Sequence, residues 1–381
     1  MRYRQLGKTG LMVSEIGYGP EWLEGKTREE GKAIADRCMQ YGINICDCWM
    51  SDPEVRSNLG DSIRGFRDRW IIQGHFGATW QNGQYLRTRD LKHVIPAFED
   101  ELRRLHTDYF DIGMIHYVDE QAEWDRIQDS PFLQYVMKQK KNGTVRHIGL
   151  STHNPLIAKQ AVQSGIVEML MFSVNPVFDM LPPSEDLEDY RAEKFDAGLG
   201  GIYRDRAELY ALCEREGVGI TVMKGLASGR LFDAKRSPFG VALTPVQCLH
   251  YALTRPAVAS VLVGYSEPAH VDAAVAYETA TDEEKDYASV LAGASRHAYR
   301  DMCTYCNHCK PCPSGIDIAM VNKLYDLAVT QEKVPASVLE HYRNLSAHAS
   351  DCVECGGCRK RCPFDVDVIS YMRKAKELFG L

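Results

Sequence analysis

Two short cysteine runs near the C-terminus constrain this chain more than any other feature. They contain eight of its thirteen cysteines: Cys303, Cys306, Cys309 and Cys312 in the first run, and Cys352, Cys355, Cys358 and Cys362 in the second. Each run ends in Cys-Pro, at Pro313 and at Pro363. Two residues between successive cysteines form a tight turn, so the thiolates of one run converge on a small cofactor. The runs therefore predict a compact metal-binding module.

The spacing is typical of the ligands to a pair of 4Fe-4S clusters. In such a pair the first three cysteines of each run bind one cluster, and the cysteine before proline binds the other. We expect Cys303, Cys306, Cys309 and Cys362 to hold one cluster, and Cys352, Cys355, Cys358 and Cys312 to hold the second. The first run has two residues before its fourth cysteine, where the usual pattern has three. A pair of zinc ribbons is the alternative, because Cys-x-x-Cys also suits tetrahedral zinc.

Length and charge narrow the class of protein further. With 381 residues the chain has room for a large barrel and a small module. Its net charge of −7 argues against a nucleic-acid partner, which would need a concentrated basic surface. The sequence has no run of eighteen apolar residues and no apolar signal core at its start, so we expect a cytoplasmic protein without a membrane segment. The five other cysteines are scattered, so we expect buried thiols rather than disulfides.

Before residue 300, short apolar runs alternate with helical patterns. Eight runs are strand-like, at residues 15–19, 43–47, 70–75, 109–116, 145–151, 169–175, 219–224 and 260–264. Apolar runs without polar alternation are typical of strands that are buried on both faces. The helical pattern at 28–41 lies between Thr27, a candidate N-cap, and Gly42, a candidate C-cap.

Eight such β/α units predict an α/β fold, a (β/α)8 TIM barrel of about 250 residues. A doubly wound sheet is the alternative, but no Gly-x-Gly-x-x-Gly follows the first strand. We place the barrel at residues 1–285 and a small, mostly helical, ferredoxin-like iron–sulfur domain at 286–381. The long irregular stretch 178–203 follows the sixth strand, so it should overhang the mouth of the barrel. A disordered insertion is the other interpretation of that stretch.

Five segments of the barrel resemble the aldo-keto reductases. They are residues 1–19, 41–47, 108–116, 143–151 and 260–264, which look like the N-terminal hairpin with the first strand and the second, fourth, fifth and eighth strands of that family. The resemblance extends over residues 1 to 280, and a subgroup of the family carries a C-terminal dicluster ferredoxin-like module. It implies NAD(P)H as cofactor and carbonyl reduction by an Asp, Tyr, Lys and His tetrad.

The tetrad is only partly present in this sequence. Asp47 and His116 match the family's aspartate and histidine, whereas Asp52 stands at the tyrosine position and His75 at the lysine position. The resemblance thus implies Asp47, His75 and His116 as catalytic residues. Two imidazoles that titrate near neutrality could deliver a proton to a substrate oxygen, with Asp47 orienting one of them. Alternatively, His75 only fills the space that the lost lysine leaves.

The cofactor positions are mixed in the same way. The resemblance implies cofactor contacts at Ser151, Lys224 and Gly264. Met171 and Met223, however, replace a glutamine and a tyrosine of the family. The segment after Gly264 also lacks the Arg or Lys that would pair with a 2′-phosphate.

These observations predict an iron–sulfur oxidoreductase in which two 4Fe-4S clusters relay electrons to or from a site at the barrel mouth. A non-catalytic electron-transfer subunit, with the barrel as scaffold, is the alternative. We expect a small polar substrate, no nucleic acid and no membrane as partners. Basic residues at 359–361 and 373–376 predict a docking face for an electron carrier such as ferredoxin or flavodoxin, unless they form an ordinary solvated helix face.

Overall fold

The computed structural model describes residues 1–180, 202–235, 237–292, 303, 308–329, 334, 336–362 and 366–381. Within these residues the strands are β1 (Tyr3–Gln5), β2 (Met12–Ser14), β3 (Ile16–Gly19), β4 (Ile45–Cys48), β5 (Ile71–Phe76), β6 (Ala78–Gln81), β7 (Gln84–Arg87), β8 (Phe110–Ile115), β9 (Val145–Thr152), β10 (Met169–Ser173), β11 (Gly219–Met223) and β12 (Val258–Gly264).

Eight of these strands close into a parallel barrel, in the order β3-β4-β5-β8-β9-β10-β11-β12. Each one coincides with one of the eight apolar runs of the sequence, and most of their residues are buried. The predicted (β/α)8 barrel is therefore confirmed, and closure of the sheet rules out the doubly wound alternative. The antiparallel hairpin β1–β2 precedes the barrel, and a second hairpin, β6–β7, follows its third strand.

Fifteen α-helices lie within the described residues. They are α1 (Arg28–Tyr41), α2 (Pro53–Ser62), α3 (Leu91–Arg104), α4 (Gln121–Gln128), α5 (Pro131–Asn142), α6 (Pro155–Gln163), α7 (Pro176–Met180), α8 (Arg204–Glu216), α9 (Pro245–Leu253), α10 (Pro268–Val275), α11 (Tyr287–Ala292), α12 (Ile318–Val329), α13 (Ala336–Arg343), α14 (Gly357–Arg361) and α15 (Val368–Phe379). No helix among these residues is both long and apolar enough to cross a membrane.

Local sequence explains where α1 begins and ends. The Thr27 hydroxyl accepts from the Glu30 N–H at 3.2 Å, and the Glu30 carboxylate accepts from the Thr27 N–H at 2.8 Å. This capping box satisfies two amides that the helix itself leaves unpaired. At the other end Gly42 has a φ of 79°, the left-handed conformation that favours glycine. Both predicted caps of this helix are confirmed.

The chain divides into two compact units. Met1–Val174, Gly217–Leu226 and Ala257–Ala280 form the first, and Asn175–Glu216, Ala227–Pro256 and Thr281–Leu381 form the second. The first unit contains all twelve strands, and its core includes Leu6, Ile45, Ile112, Met169 and Leu262. The boundary that we expect between residues 285 and 286 stays a prediction.

The second unit is helical and has a buried polar centre of its own. The Asp179 carboxylate accepts from Arg206 Nε at 2.8 Å, from the Tyr210 hydroxyl at 2.5 Å and from the Tyr251 hydroxyl at 2.8 Å. All four side chains are buried. Because the carboxylate is paired and hydrogen-bonded, its burial is compensated. Asp179 thus joins α7, α8 and α9.

Candidate functional site

Three residues from the family tetrad positions lie together at the carboxyl ends of neighbouring barrel strands. Asp47 lies near the end of β4, His75 near the end of β5, and His116 directly after β8. Their exposed fractions are 1 %, 2 % and 5 %. Carboxyl ends of barrel strands are where active sites form in this fold. The structure therefore brings the three predicted residues into one buried group, and their catalytic role stays a prediction.

Hydrogen bonds join these three side chains into a chain. Asp47 Oδ1 lies 2.8 Å from His75 Nε2, and His75 Nδ1 lies 2.8 Å from His116 Nδ1. Gln73 Nε2 donates a second hydrogen bond to Asp47 Oδ1 at 2.7 Å. His75 thus links the carboxylate to the second imidazole.

A fourth residue, Tyr85, completes this series of hydrogen bonds. Its sequence context did not indicate a place in the site. Its hydroxyl lies 2.7 Å from His116 Nε2. Tyr85 belongs to β7, so the β6–β7 hairpin brings it to the site. Trp49 stacks on the His116 ring at 6.2 Å with an interplanar angle of 6°, and it meets the Tyr85 ring edge-on at 5.8 Å. We call Asp47, His75, His116 and Tyr85 the proton chain.

The direction of each hydrogen bond in the proton chain follows from the carboxylate. A carboxylate accepts, so His75 Nε2 donates to Asp47. In a neutral His75 the other nitrogen, Nδ1, then accepts from His116 Nδ1, which leaves His116 Nε2 to accept from the Tyr85 hydroxyl. Burial lowers the pKa of His116 well below its usual value, and the nearby charges of His75 and Arg89 lower it further. His116 is therefore neutral at neutral pH.

A buried ion pair holds His75 from behind. Glu101 Oε1 accepts from the His75 backbone N–H at 3.3 Å, and Glu101 Oε2 lies 3.1 Å from Arg56 Nη2. Arg56 also donates to the backbone carbonyls of Met50 and Ala97. Burial raises the pKa of Glu101 to about 7, although Arg56 opposes the shift.

Asp52, at the family's tyrosine position, has a structural role. Its carboxylate accepts from the backbone N–H groups of Glu54 and Val55 at 2.7 Å and 3.1 Å and caps α2. Glu54 is exposed and pairs with Arg28 at 3.2 Å. Neither carboxylate makes a hydrogen bond with the proton chain.

The three predicted cofactor contacts have different surroundings. Ser151 is buried, and its hydroxyl accepts from the Tyr117 N–H at 2.7 Å. Lys224 directly follows β11 and has a φ of 57°, while Gly264 is the last residue of β12. Met171 is buried, with its sulfur 3.8 Å from Gln73 Nε2. The amide-binding serine is thus in place, without the polar partner that the family pairs with it.

Glu21 and Trp22 cover the Gly264 end of this region. A Cβ at Gly264 would lie 2.3 Å from Trp22 Cδ1 and 3.0 Å from Glu21 Oε1, and a Cβ at Gly19 would lie 2.7 Å from Glu21 Oε2. Burial raises the pKa of Glu21 to about 7, and the charge of Asp47 adds to the shift. A carboxyl and an indole at this position do not suit a phosphate-bearing cofactor, whereas Ser151 does suit the amide of NAD(P)H.

The second cluster site is complete within the described residues. Cys312, Cys352, Cys355 and Cys358 line one cavity. Burial raises the pKa of the Cys358 thiol, and the neighbouring Cys352 and Cys355 thiols raise it further. Between the last three cysteines, Glu354 and Gly356 have φ angles of 53° and 72°, which turn the backbone sharply. The structure therefore places the first run's last cysteine with the first three of the second run.

The geometry of that cavity also bears on the zinc alternative. Among the described residues, no three His, Cys, Asp or Glu side chains are placed to hold a single metal ion. Tetrahedral zinc needs four ligands at about 2.0–2.3 Å from one point. The four thiols line one cavity, where a 4Fe-4S cluster would be held by four cysteines.

The first cluster site is described only in part. Cys303, Cys309 and Cys362 are half-buried, and Cys306 lies outside the described residues. Arg361 Nη2 donates to the backbone carbonyls of Cys309 and Pro311, both at 2.7 Å, so a residue of the second run holds the first.

Two further expectations concern the remaining cysteines and the long loop. The cysteines outside the two runs are all buried, as expected: Cys38, Cys46, Cys48, Cys213 and Cys248. Of the irregular stretch 178–203, residues 181–201 lie outside the described residues, and Phe178–Met180 complete α7. Its expected place over the barrel mouth therefore stays a prediction.

Comparisons with known proteins agree with this architecture. The model of the aldo/keto reductase family matches residues 15–242, and that of a 4Fe-4S dicluster domain matches residues 302–367. An uncharacterized oxidoreductase of Bacillus subtilis, YqkF, is 27 % identical over 70 % of this chain and 88 % of its own length. L-galactose dehydrogenase of Arabidopsis thaliana is 26 % identical over 72 % of this chain and 88 % of its own length.

A solved structure shares the barrel fold. The holo form of aldo-keto reductase AKR11C1 from Bacillus halodurans superposes with a TM-score of 0.60 at 23 % identity, covering 78 % of this chain and 99 % of that protein. The sequence match, the closed barrel and the thiol-lined cavity all indicate the same barrel family and the same cluster-binding domain. This chain belongs to the aldo/keto reductase family and is an oxidoreductase of that type with a C-terminal 4Fe-4S dicluster domain.

Proposed function

We propose that this chain is an iron–sulfur oxidoreductase that passes electrons through two 4Fe-4S clusters to or from a small polar substrate at the barrel mouth. The observation that carries the proposal is the proton chain, in which a buried carboxylate, two imidazoles and a phenol form consecutive hydrogen bonds of 2.7–2.8 Å. A redox reaction at a carbonyl or alcohol moves protons as well as electrons. The proton chain can supply those protons.

The division of labour follows from the two sets of residues. When bound, the clusters would supply single electrons, and the eight cysteines of the two runs would hold them. Asp47 orients His75 through a hydrogen bond, while His75 and His116 hold and move a proton. These groups suit the reduction of a carbonyl group at the mouth, because that reaction adds a proton to the carbonyl oxygen.

Binding of NAD(P)H is a second candidate for this site, because Ser151 keeps the family's contact to the nicotinamide amide. Met171 and Glu21 weigh against it, since neither a thioether nor a carboxyl replaces the polar and phosphate-binding contacts of the family. No step of the proposed mechanism depends on this cofactor.

The alternative of a non-catalytic subunit has less support. A barrel kept only as a scaffold has no need for two buried imidazoles in contact with a buried carboxylate, because each buried polar group must be compensated. The hydrogen bonds that His75 makes to both Asp47 and His116 favour an enzyme.

The electron donor is part of the proposal. Arg359, Lys360 and Arg361 are exposed on α14, and Arg373 and Lys374 are exposed on α15. Cys355, a proposed cluster ligand, is exposed as well. An acidic electron carrier such as ferredoxin or flavodoxin would complement this basic surface.

The test is anaerobic turnover with reduced viologen as donor and benzaldehyde, keto acids and aldose sugars as acceptors. We expect the wild type to reduce at least one class, and His116→Ala to lower kcat by roughly 10²–10⁴-fold, the usual loss for a general acid–base group. His93→Ala is the matched control, because His93 is exposed on α3. Failure of the wild type with every acceptor, at full iron content, would contradict the proposal.

Nicotinamide use has a separate measurement. NADH and NADPH are titrated into the anaerobic protein while cofactor fluorescence is followed. Tight binding of either would establish the second candidate, and absence of binding by both would leave the clusters as the electron source.

A further inference from the structure

We propose that Tyr85, from the β6–β7 hairpin, is the catalytic residue that donates the proton to the substrate oxygen. It replaces the tyrosine that the family places on another element. This inference rests on the proposed function, since it needs a substrate oxygen at the barrel mouth. His116, His75 and Asp47 are then positioning residues that supply and hold the proton behind Tyr85.

The first argument is that His116 has no ring nitrogen left for a substrate. Its Nδ1 lies 2.8 Å from His75 Nδ1, and its Nε2 lies 2.7 Å from the Tyr85 hydroxyl. The ring is 5 % exposed and is covered by the stacked indole of Trp49. A proton that leaves His116 therefore passes to Tyr85.

The second argument is exposure. Tyr85 is 36 % exposed, whereas the other three members of the proton chain are 1–5 % exposed. It is the one member that a substrate can reach from solvent. A general acid must come within hydrogen-bond distance of the atom that it protonates, and Tyr85 is the member of the proton chain with the exposure for such an approach.

The third argument is that the hairpin fixes Tyr85 in place. Tyr85 pairs with Trp80 in the antiparallel register of β6 and β7. The turn between the strands is Asn82-Gly83, with φ angles of 53° and 77°. Positive φ at both central residues is the type I′ geometry that matches the twist of a hairpin. The phenol is thus held by a regular element and by the edge of Trp49.

The proton transfer balances within the chain. In the loaded state His75 carries a proton on both nitrogens, so His75 Nδ1 donates to His116 Nδ1, His116 Nε2 donates to the Tyr85 oxygen, and the Tyr85 O–H faces the substrate. One electron from the proposed relay converts the carbonyl to a radical with a negative charge on its oxygen, which is the atom that Tyr85 protonates. A second electron, together with a proton from solvent to carbon, then completes the alcohol.

Three protons then shift by one position each. The Tyr85 O–H bond breaks as the substrate O–H bond forms, the His116 Nε2 proton moves to Tyr85, and the His75 Nδ1 proton moves to His116. The substrate oxygen loses its negative charge and His75 loses its positive charge, so total charge is unchanged. His75 stays hydrogen-bonded to Asp47 as a neutral ring.

Charged groups around the phenol set its titration. Burial is the largest effect and raises the pKa of Tyr85; Arg87 and Arg89 lower it, and Glu123 raises it. The phenol thus keeps its proton at neutral pH, as a donor must.

The test compares Tyr85→Phe with Tyr3→Phe, using reduced viologen and the carbonyl acceptor that the wild type reduces fastest. Tyr3 is a matched control, because it is 45 % exposed, lies on the other hairpin and donates one hydrogen bond of 2.7 Å, to the Gly42 carbonyl. We expect Tyr85→Phe to lower kcat by roughly 10²–10⁴-fold with iron content and KM nearly unchanged, and Tyr3→Phe to leave kcat within about twofold.

A second measurement excludes a purely structural role. Difluorotyrosine at position 85 has a more acidic phenol, so the alkaline limb of the kcat–pH profile should move to lower pH. Full activity of Tyr85→Phe together with loss in His116→Ala would overturn the proposal and leave the proposed function standing.

The two proposals can fail separately. A wild type inactive toward every carbonyl acceptor overturns the function, and the Tyr85 assignment falls with it. Nuclear magnetic resonance of labelled histidine then still reports whether Tyr85→Phe shifts His116 Nε2, that is, whether the hydrogen bond exists.

Discussion

Glu21 lies against the ends of both β3 and β12, close to Gly19 and Gly264. Two effects disfavour its charged form, namely burial and the nearby charge of Asp47. Both raise its pKa, from 4.5 to about 7. A carboxyl that titrates near neutrality next to a proposed active site makes that region sensitive to ordinary changes of pH.

This shift predicts how stability changes with pH. Because the folded-state pKa is above the unfolded one, Glu21 favours folding fully below about pH 4.5, and this contribution is lost as pH rises through about 7. Glu21→Gln should therefore be more stable than the wild type at about pH 8, by about 1–3 kcal/mol. Denaturant unfolding at about pH 5 and pH 8 measures the difference. Glu54→Gln, at an exposed residue, is the control, and an equal pH dependence in Glu21→Gln and the wild type would contradict the account.

At the same scale, sequence alone indicated part of the site. Asp47, His75 and His116 follow from the family resemblance, and each of them also closes an apolar run. Tyr85 could not be identified in this way, since it belongs to a hairpin whose position over the barrel depends on packing. The Asn82-Gly83 turn between strand-like residues could have indicated the hairpin.

Among the elements, the β6–β7 hairpin depends on a glycine in the left-handed conformation. Gly83 has a φ of 77°, and no atom lies within 4 Å of a Cβ placed there. Any cost of a side chain is therefore conformational rather than steric. The left-handed conformation costs a residue with a side chain about 1–2 kcal/mol.

Gly83→Ala should therefore loosen the hairpin and displace Tyr85. We expect faster amide hydrogen exchange in residues 78–87 and a lower kcat, while iron content stays that of the wild type. Gly143→Ala is the matched control, because Gly143 also has a positive φ, 81°, with open space around it, at the end of α5. Equal exchange rates at residues 78–87 in both variants would show that the turn does not control the hairpin.

The barrel elements were predictable to different degrees. The eight strands were found because strands buried on both faces are continuous apolar runs, and α1 was found because both of its caps have a clear sequence pattern. Helix α2 was not anticipated. Asp52 and Pro53 form its start, an acceptor at N-cap followed by proline at N1, but the family alignment drew attention to Asp52 as a lost catalytic residue.

For the whole molecule, the two cysteine runs behave as one module. Cys312 of the first run lies at the cavity of the second, and Arg361 of the second run holds the backbone of the first. The spacing alone left self-contained runs and zinc ribbons as alternatives. The placement of Cys312 favours crossed ligation, a feature that only the folded chain can display.

Crossed ligation predicts the iron content of paired variants. The wild type should hold about eight iron atoms per chain, and Cys312→Ala should lose about four. Adding Cys355→Ala should cost no further iron, since both cysteines serve the same cluster. If each run is self-contained, the double variant should lose about eight instead. Iron assay with electron paramagnetic resonance decides the matter, and Cys248→Ala, at a buried cysteine outside the runs, is the control.

The facing Nδ1 atoms of His75 and His116 make the proton chain reversible. A chain that holds one extra proton donates outward through Tyr85, and the same chain without it can accept a proton from an alcohol. Microscopic reversibility then lets one set of residues serve both carbonyl reduction and alcohol oxidation. The direction of net turnover would be set by the reduction potentials of the electron carrier and the substrate couple. The barrel itself would impose no direction.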